Sequence, residues 1–332
     1  MPASSEGPFP GESGPSPALL RVNGLKQYFY RKGGRAAPVK AVDGVSFSLH
    51  HGETLGLVGE SGCGKSTLAR SILRIYTPTG GQILFEGGDI TRLSRREMRP
   101  YRKKMQMIFQ DPLSSLDPRM TVGEILSEPL IGNRIDKSRA ERFLRAGEIL
   151  EQVGLSRDAL GRYPKEFSGG QCQRVGVARA LITRPRLVVC DEPVSSLDLS
   201  IRSQIVNLLL DFQKELGCAY IFITHDLSVL RSVSGRVAVM YLGRIVEICP
   251  GAEISAALHP YTQALLEAVP ARNPRLARQK GRPPAAGEVP DPASPPEGCC
   301  FHPRCRRAMP VCEKTPPETR AIGSRLVSCH LY

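Results

Sequence analysis

Short apolar runs alternate with longer stretches of helical spacing along most of this chain. The runs "TLGLVG" (54–59), "RLVVCD" (186–191), "AYIFIT" (219–224), "RVAVMY" (236–241) and "RIVEIC" (244–249) are nearly continuous in apolar residues, the pattern of strands buried on both faces. Between them, "LARSILRIY" (68–76), "SIRSQIVNLLLDFQKEL" (200–216) and "LSVLRSV" (227–233) space their leucine, isoleucine and valine as a helix does. Such alternation predicts an α/β fold with a largely parallel sheet covered on both faces. Upstream, "ALLRVNGLKQYFY" (18–30) and "VDGVSFSLHHGETLGLVG" (42–59) predict strands, and "GQILFEGGDI" (81–90) predicts a hairpin about Gly87-Gly88. From about 112 to 170 strand signals thin out, and "TVGEILSEPL" and "SRAERFLRAGEILEQVGL" predict amphipathic helices, a helical insertion within the α/β unit. A last helix is expected over 253–268, before a proline-rich basic linker (269–298).

Composition narrows the class. The 332 residues, 41% hydrophobic and 23% charged, are ordinary for a soluble globular protein of about two units. No run approaches the roughly 18 apolar residues of a membrane span. Residues 1–17, "MPASSEGPFPGESGPSP", are rich in proline, glycine and serine and carry no basic-then-apolar leader pattern. That segment is expected to be disordered, and the protein to stay in the cytosol, peripheral to a membrane built by other chains. The net charge of +13 is concentrated in 92–104, 272–282 and around the C-terminal cysteines. Nucleic acid and an anionic membrane face are two partners for such clusters, and solvated faces are the plain alternative. No basic stripe interleaved with aromatics supports nucleic acid.

The stretch "GESGCGKST" (59–67) carries the first chemistry. It joins a strand to a helix with the spacing G-x-x-x-x-G-K-[ST], from Gly59 through Gly64 to Lys65 and Ser66. Backbone amides of Gly59, Ser61, Gly62, Cys63, Gly64 and Thr67 are thereby offered to phosphates at a helix N-terminus, Lys65 reaches the β and γ oxygens, and the Ser66 hydroxyl ligates Mg²⁺. The run "RLVVCDEP" ends a strand on two carboxylates. Asp191 is placed to hold Mg²⁺, and Glu192 to orient and deprotonate a water at the γ-phosphate. "FSGGQ" (167–171) opens a second anion-ready helix, with Ser168, Gly169, Gly170 and Gln171 at its start. One chain with one phosphate loop has no need of a second such site, so this one is expected to serve a nucleotide held by another subunit.

Together these stretches resemble the ATP-binding subunits of ABC transporters over about residues 18 to 332. The resemblance implies a nucleoside-triphosphatase core with an antiparallel β subdomain and a helical subdomain at about 112–183. The ATPase domain is set at 18–252, and a small Cys-rich extension at 253–332. It implies a Q-loop at "MIFQDP", giving Gln110 a place beside Mg²⁺, a D-loop at "SSLD" with Asp198, and a switch histidine, His225, in "FITHD". It implies head-to-tail pairing of two such subunits, and an aromatic that stacks on adenine. Spacing from Leu25 favours Phe29, with Tyr28 and Tyr30 as alternatives. The signature departs from the usual Leu-Ser-Gly-Gly-Gln at Phe167, and Cys172 follows it.

The stretches "FQDPLSSLDPRMTVGEIL", "HPYTQALLEAVP" and "GCCFHPRCRRAMPVC" are similar to the peptide-importer branch, nearer its F-type than its D-type ATPase. That branch implies two transmembrane permease subunits, an extracytoplasmic solute-binding protein, a D-type ATPase as heterodimer partner and no direct contact with nucleic acid. It places the chain at the cytoplasmic face of the membrane. Dipeptides, oligopeptides, nickel and glutathione all remain as cargo. Five of the ten cysteines fall between 299 and 329. Cys299, Cys305, Cys312 and Cys329 offer four thiolates on a tail too short to bury much core, which suits Zn²⁺ or an iron–sulfur cluster. The resemblance favours [4Fe–4S], with Cys300 as a possible substitute for Cys299. The rival reading is a soluble ABC ATPase acting on ribosomes or DNA, whose members usually carry two cassettes or a long coiled-coil insertion. This chain has neither.

Overall fold

The computed structural model describes residues 17–30, 37–135, 138–195, 197–268 and 287–332. The expectation of disorder over 1–17 and the basic cluster at 272–282 lie largely outside these. The described chain divides into two units, one of residues 1–49, 55–91 and 225–332 and one of 50–54 and 92–224.

In the first unit the buried runs form strands β1 (Leu20–Phe29), β2 (Val39–Leu49), β3 (Thr54–Val58), β4 (Gly80–Phe85) and β5 (Gly88–Asp89). The first, second, fourth and fifth make an antiparallel sheet in the order β2-β1-β4-β5. The β4–β5 hairpin turns on Glu86 and Gly87, both at positive φ (49° and 78°), one residue earlier than the sequence suggested. Gly88 is already paired with Phe85, because two consecutive left-handed residues match the twist of a two-residue turn.

β3 runs parallel to β9 (Arg236–Tyr241), with Leu55 opposite Arg236 and Val58 opposite Val239. β9 continues antiparallel to β10 (Arg244–Pro250). Every residue of β3 is buried, as expected of a strand covered on both faces. Helix α1 (Lys65–Ile72) follows β3, and α8 (Leu227–Val233) packs so close that a Cβ on Gly56 would lie 2.8 Å from Leu230.

The helix expected over 253–268 is two pieces. A 3-10 stretch, Gly251–Ala256, stops, and α9 (Pro260–Ala268) starts afresh at a proline. The break is fixed by buried Glu247, whose carboxylate accepts the amides of Leu258 (2.9 Å) and His259 (3.0 Å). The tail adds helix α10 (Pro310–Lys314) and a hairpin the sequence reading missed, β11 (Thr319–Ile322) with β12 (Arg325–Ser328), the latter pairing with β10.

The second unit holds three parallel strands in the order β8-β7-β6: β6 (Met105–Ile108), β7 (Leu187–Asp191) and β8 (Ala219–Ile223). Short helices α2 (Arg99–Arg102) and α3 (Pro112–Ser115) flank β6. The predicted helical insertion is present as α4 (Val122–Asn133) and α5 (Arg139–Gln152), each opened by a reciprocal cap, Thr121 with Glu124 and Ser138 with Glu141. They are followed by α6 (Gly169–Leu181), and α7 (Leu199–Leu216) lies between β7 and β8. β6 went unread because only six uncharged residues, Met105–Gln110, separate the basic run from Asp111, and two of them are glutamines.

Candidate active site

The phosphate loop in the first unit runs from the end of β3 to the start of α1, and its glycines are required by space and by backbone angle. A Cβ at Gly59 would sit 2.1 Å from the Met240 carbonyl. Gly64 has φ 107° and would drive a Cβ to 2.0 Å from the Ala41 carbonyl. Ser61 and Gly62 form the exposed tip, while Ser66 and Thr67 stand on the first helical turn, half-buried. Lys65 is buried, and its Nζ donates to the carbonyls of Gly59 (2.8 Å) and Glu60 (2.9 Å). It also lies 3.6 Å from Cys63 Sγ. Burial pushes the Cys63 thiol up in pKa, so it stays protonated and packs as an apolar group despite the ammonium beside it. This cradle of backbone with one fixed cation fits a polyphosphate.

The first unit also carries the aromatic candidates and His225. Phe29 is 38% exposed and meets Tyr76 edge-on at 5.5 Å, leaving ring surface free at the strand end. The Tyr28 hydroxyl is spent on Asp43, donating to its carboxylate at 2.5 Å. Tyr30 is exposed. His225 is exposed and immediately precedes Asp226, which caps α8.

The remaining candidates lie in the second unit. Asp191, the last residue of β7, is buried. Glu192 follows in a left-handed backbone conformation, φ 48°, rare for a residue with a side chain and characteristic of functional sites. Its amide donates to Ile223 (3.0 Å), and its carboxylate accepts the Gln110 side-chain amide at 3.0 Å. Gln110, expected beside the metal, therefore holds the expected base. Ser168 caps α6, accepting the Gln171 amide (3.3 Å) while Gln171 Oε1 accepts the Ser168 amide (3.0 Å). Gly169 and Gly170 form the first turn, and a Cβ on Gly170 would meet Ile201 at 2.9 Å. Asp198, exposed, begins α7.

The ABC transporter family profile matches residues 42–195, and that of the oligopeptide/dipeptide transporter C-terminal region matches 246–312. The oligopeptide transport ATP-binding protein AppF of Bacillus subtilis is 50% identical over 321 residues, 95% of this chain and 97% of AppF. The chain belongs to the ABC transporter ATPases. A probable peptide ABC transporter ATP-binding protein, y4tS of Sinorhizobium fredii, is 49% identical over 95% of this chain and 90% of its own length. Among solved structures, the dimeric ATP-binding cassette MJ0796, in a post-hydrolysis state with ADP and Pi, superposes with a TM-score of 0.64. It is 28% identical and covers 70% of this chain and 98% of its own. As an ABC ATPase of the oligopeptide/dipeptide branch, this chain hydrolyses ATP to drive transport, and the α/β core, antiparallel β sheet and helical segment are the expected ones. The reading as a soluble ribosomal or nucleic-acid ATPase is not favoured. No helix among the described residues is long and apolar enough to cross a membrane.

The cysteines divide as expected, but the metal expectation is not supported. Cys63, Cys172, Cys190, Cys218 and Cys249 are buried free thiols. In the tail, Cys299, Cys305, Cys312 and Cys329 are near enough that a charge on one raises the pKa of another. Cys300 is influenced by the charges of Arg244, Asp43 and Lys40, and a charge on it raises the Cys299 pKa as well. Yet burial is the largest influence on the Cys299, Cys305 and Cys329 thiols and raises each pKa, Cys299 to about 11. Among the described residues no group of three or more His, Cys, Asp or Glu is arranged to hold a metal ion. As the side chains stand, the four thiols do not make the ligand set of an iron–sulfur cluster or of Zn²⁺.

Three residues at this ATPase's phosphate loop escaped the sequence reading: Glu60, Tyr261 and Arg304. Glu60 occupies a position the loop spacing leaves unspecified. Its partners lie 201 and 244 residues away, where no local pattern reaches.

Proposed function

We propose that this chain is an ATP-hydrolysing subunit that energises import of di- or oligopeptides, or related small solutes, through a membrane ABC transporter. The observation that carries the hydrolytic half is the end of β7, where Glu192 stands strained in the left-handed region with Gln110 on its carboxylate. In this reading the loop amides and Lys65 bind the phosphates, and Phe29 stacks on adenine. Ser66, Asp191 and Gln110 would hold Mg²⁺, which neutralises charge on the phosphates when bound. Glu192 accepts a proton from the attacking water, whose oxygen bonds to the γ-phosphorus as the bond from that phosphorus to the bridging oxygen breaks and ADP leaves, and His225 steadies the γ-phosphate. Ser168, Gly169, Gly170 and Gln171, with Asp198, close the nucleotide site of a partner subunit, a reading supported by the dimeric form of MJ0796. Peptide cargo is supported by the similarity to AppF, an oligopeptide transport ATP-binding protein, and by the match to the oligopeptide/dipeptide C-terminal region.

The partners proposed are a D-type ATPase, two permease subunits and a solute-binding protein, with the complex at the cytoplasmic membrane face. A tagged chain captured from gently solubilised native membranes should bring down two multi-span permeases and a second, similar ATPase. Recovery of ribosomal or DNA-repair proteins in their place would overturn the importer reading. A [4Fe–4S] cluster on Cys299, Cys305, Cys312 and Cys329 rests on the family resemblance alone. Iron and acid-labile sulfide analysis of anaerobically purified protein checks it, and finding neither removes it.

A further inference from the structure

Within the first unit, the phosphate loop is fastened from outside by two side chains of the C-terminal extension. Glu60 is the second residue of the loop. Its backbone N–H donates to the hydroxyl of Tyr261 at 2.9 Å, and its carboxylate takes both terminal nitrogens of Arg304, at 2.8 and 3.0 Å. The fastening is rigid at its far end. Tyr261 is fully buried and packs its ring against Tyr241 (4.6 Å) and Phe301 (5.3 Å). The Arg304 guanidinium lies 5.9 Å from the centres of both the Tyr241 and Phe301 rings, and Nη1 also donates to Tyr241 Oη at 3.4 Å. Arg304 itself closes a 3-10 turn, His302–Arg304, between Cys299 and Cys305. Its side chain is 8% exposed and that of Glu60 28%, so the pair is largely shielded from solvent.

Two physical consequences follow for anything the loop binds. A glycine-rich loop must give up backbone freedom to present its amides together, and a loop already ordered by fixed partners spares the ligand that cost. Glu60 also sets a carboxylate in the anion-binding loop itself, where unopposed it would repel phosphate. A two-pronged guanidinium cancels that charge in place. Lys65 does not serve this purpose, since its Nζ is directed to the carbonyls of Gly59 and Glu60.

We propose that Arg304 and Tyr261 are positioning residues for ATP: they hold the phosphate loop in its binding shape and neutralise Glu60, so that the extension sets nucleotide affinity. This rests on the reading that the loop takes the phosphates of ATP. The test is MgATP binding to the full-length chain by calorimetry, together with KM and kcat. Arg304→Met should weaken MgATP binding about tenfold and raise KM in step, with kcat at saturating ATP within about twofold of wild type. Adding Glu60→Gln to that variant should recover most of the lost affinity, because the uncompensated charge is gone. A merely structural Arg304 gives no such recovery. Arg304→Lys should hold affinity within about threefold, and Tyr261→Phe, too conservative to unfold the chain, should weaken it about threefold. Wild-type affinity in Arg304→Met and Tyr261→Phe, or no recovery on adding Glu60→Gln, overturns the proposal. Lys65→Ala separates the two readings. If it binds MgATP as wild type does, the loop reading itself fails. If it abolishes binding while the Arg304 and Tyr261 variants behave as wild type, only the positioning role falls.

Discussion

Single residues in this molecule carry their function through backbone conformation as much as through side-chain chemistry. Glu192 stays in a left-handed conformation at a cost on the order of 1–3 kcal/mol, offset by the Ile223 carbonyl that takes its amide and by Gln110. Glu192→Gln keeps the shape and the hydrogen-bonding ability but removes the proton acceptor. Its kcat should fall by about 100-fold or more while MgATP binding is retained, as single-turnover and binding measurements would read. Wild-type turnover in that variant would remove the base role. Gly64 makes the complementary case. Alanine there meets both a left-handed backbone, costing about 1–2 kcal/mol, and the Ala41 carbonyl at 2.0 Å. Gly64→Ala should therefore lose MgATP binding and lower the melting temperature together, whereas Lys65→Ala should lose binding alone.

At the scale of elements, one local device can serve folding and chemistry at once. The Ser168–Gln171 cap starts α6 with the same two bonds that start α4 and α5, so a cap explains the side chains without a nucleotide. Ser168→Asp separates the two roles. Aspartate caps as well as serine, so the melting temperature should hold, but its charge should repel a partner's γ-phosphate and abolish ATPase activity of the assembled transporter. Full activity in that variant would leave Ser168 as a cap only. The α9 junction gives a pH prediction. Burial holds His259 neutral and lowers its pKa to about 4, and its Nδ1 accepts the Tyr261 amide. Below about pH 6.5 the unfolded chain binds a proton that the folded chain refuses, so acid costs up to roughly 1.4 kcal/mol of stability per pH unit down to about pH 4. Denaturant titrations at pH 7.5 and 5 should show that loss, and His259→Asn should shrink it. Elements built from continuous apolar runs were legible in the sequence because burial on both faces leaves a plain pattern, as in β3, β7 and β8. The break before α9 and the β11–β12 hairpin were not, since one depends on a buried glutamate from another strand and the other on pairing with β10.

Across the whole molecule, the candidate site residues were legible because each sits in a short motif, and the side chains that support the phosphate loop were not, because Tyr261 and Arg304 lie 201 and 244 residues from Glu60. The free thiols give a check on the packing throughout. Brief alkylation of the native protein should label Cys299, Cys300, Cys305 and Cys329 before Cys63, Cys172, Cys190, Cys218, Cys249 and Cys312, the buried set, as peptide mapping would show. Labelling of Cys190 or Cys218 in the first group would contradict the described core. The Glu60 fastening also has a bearing on how the protein is made. Arg304 is translated 244 residues after Glu60. At about 5–20 residues per second, a growing chain therefore spends roughly 12–50 s with its phosphate loop complete and its clasp not yet synthesised. For that interval the nascent subunit carries its phosphate loop without the grip that steadies it, so on the proposal above full nucleotide affinity is a property the chain acquires only once Arg304 has left the ribosome.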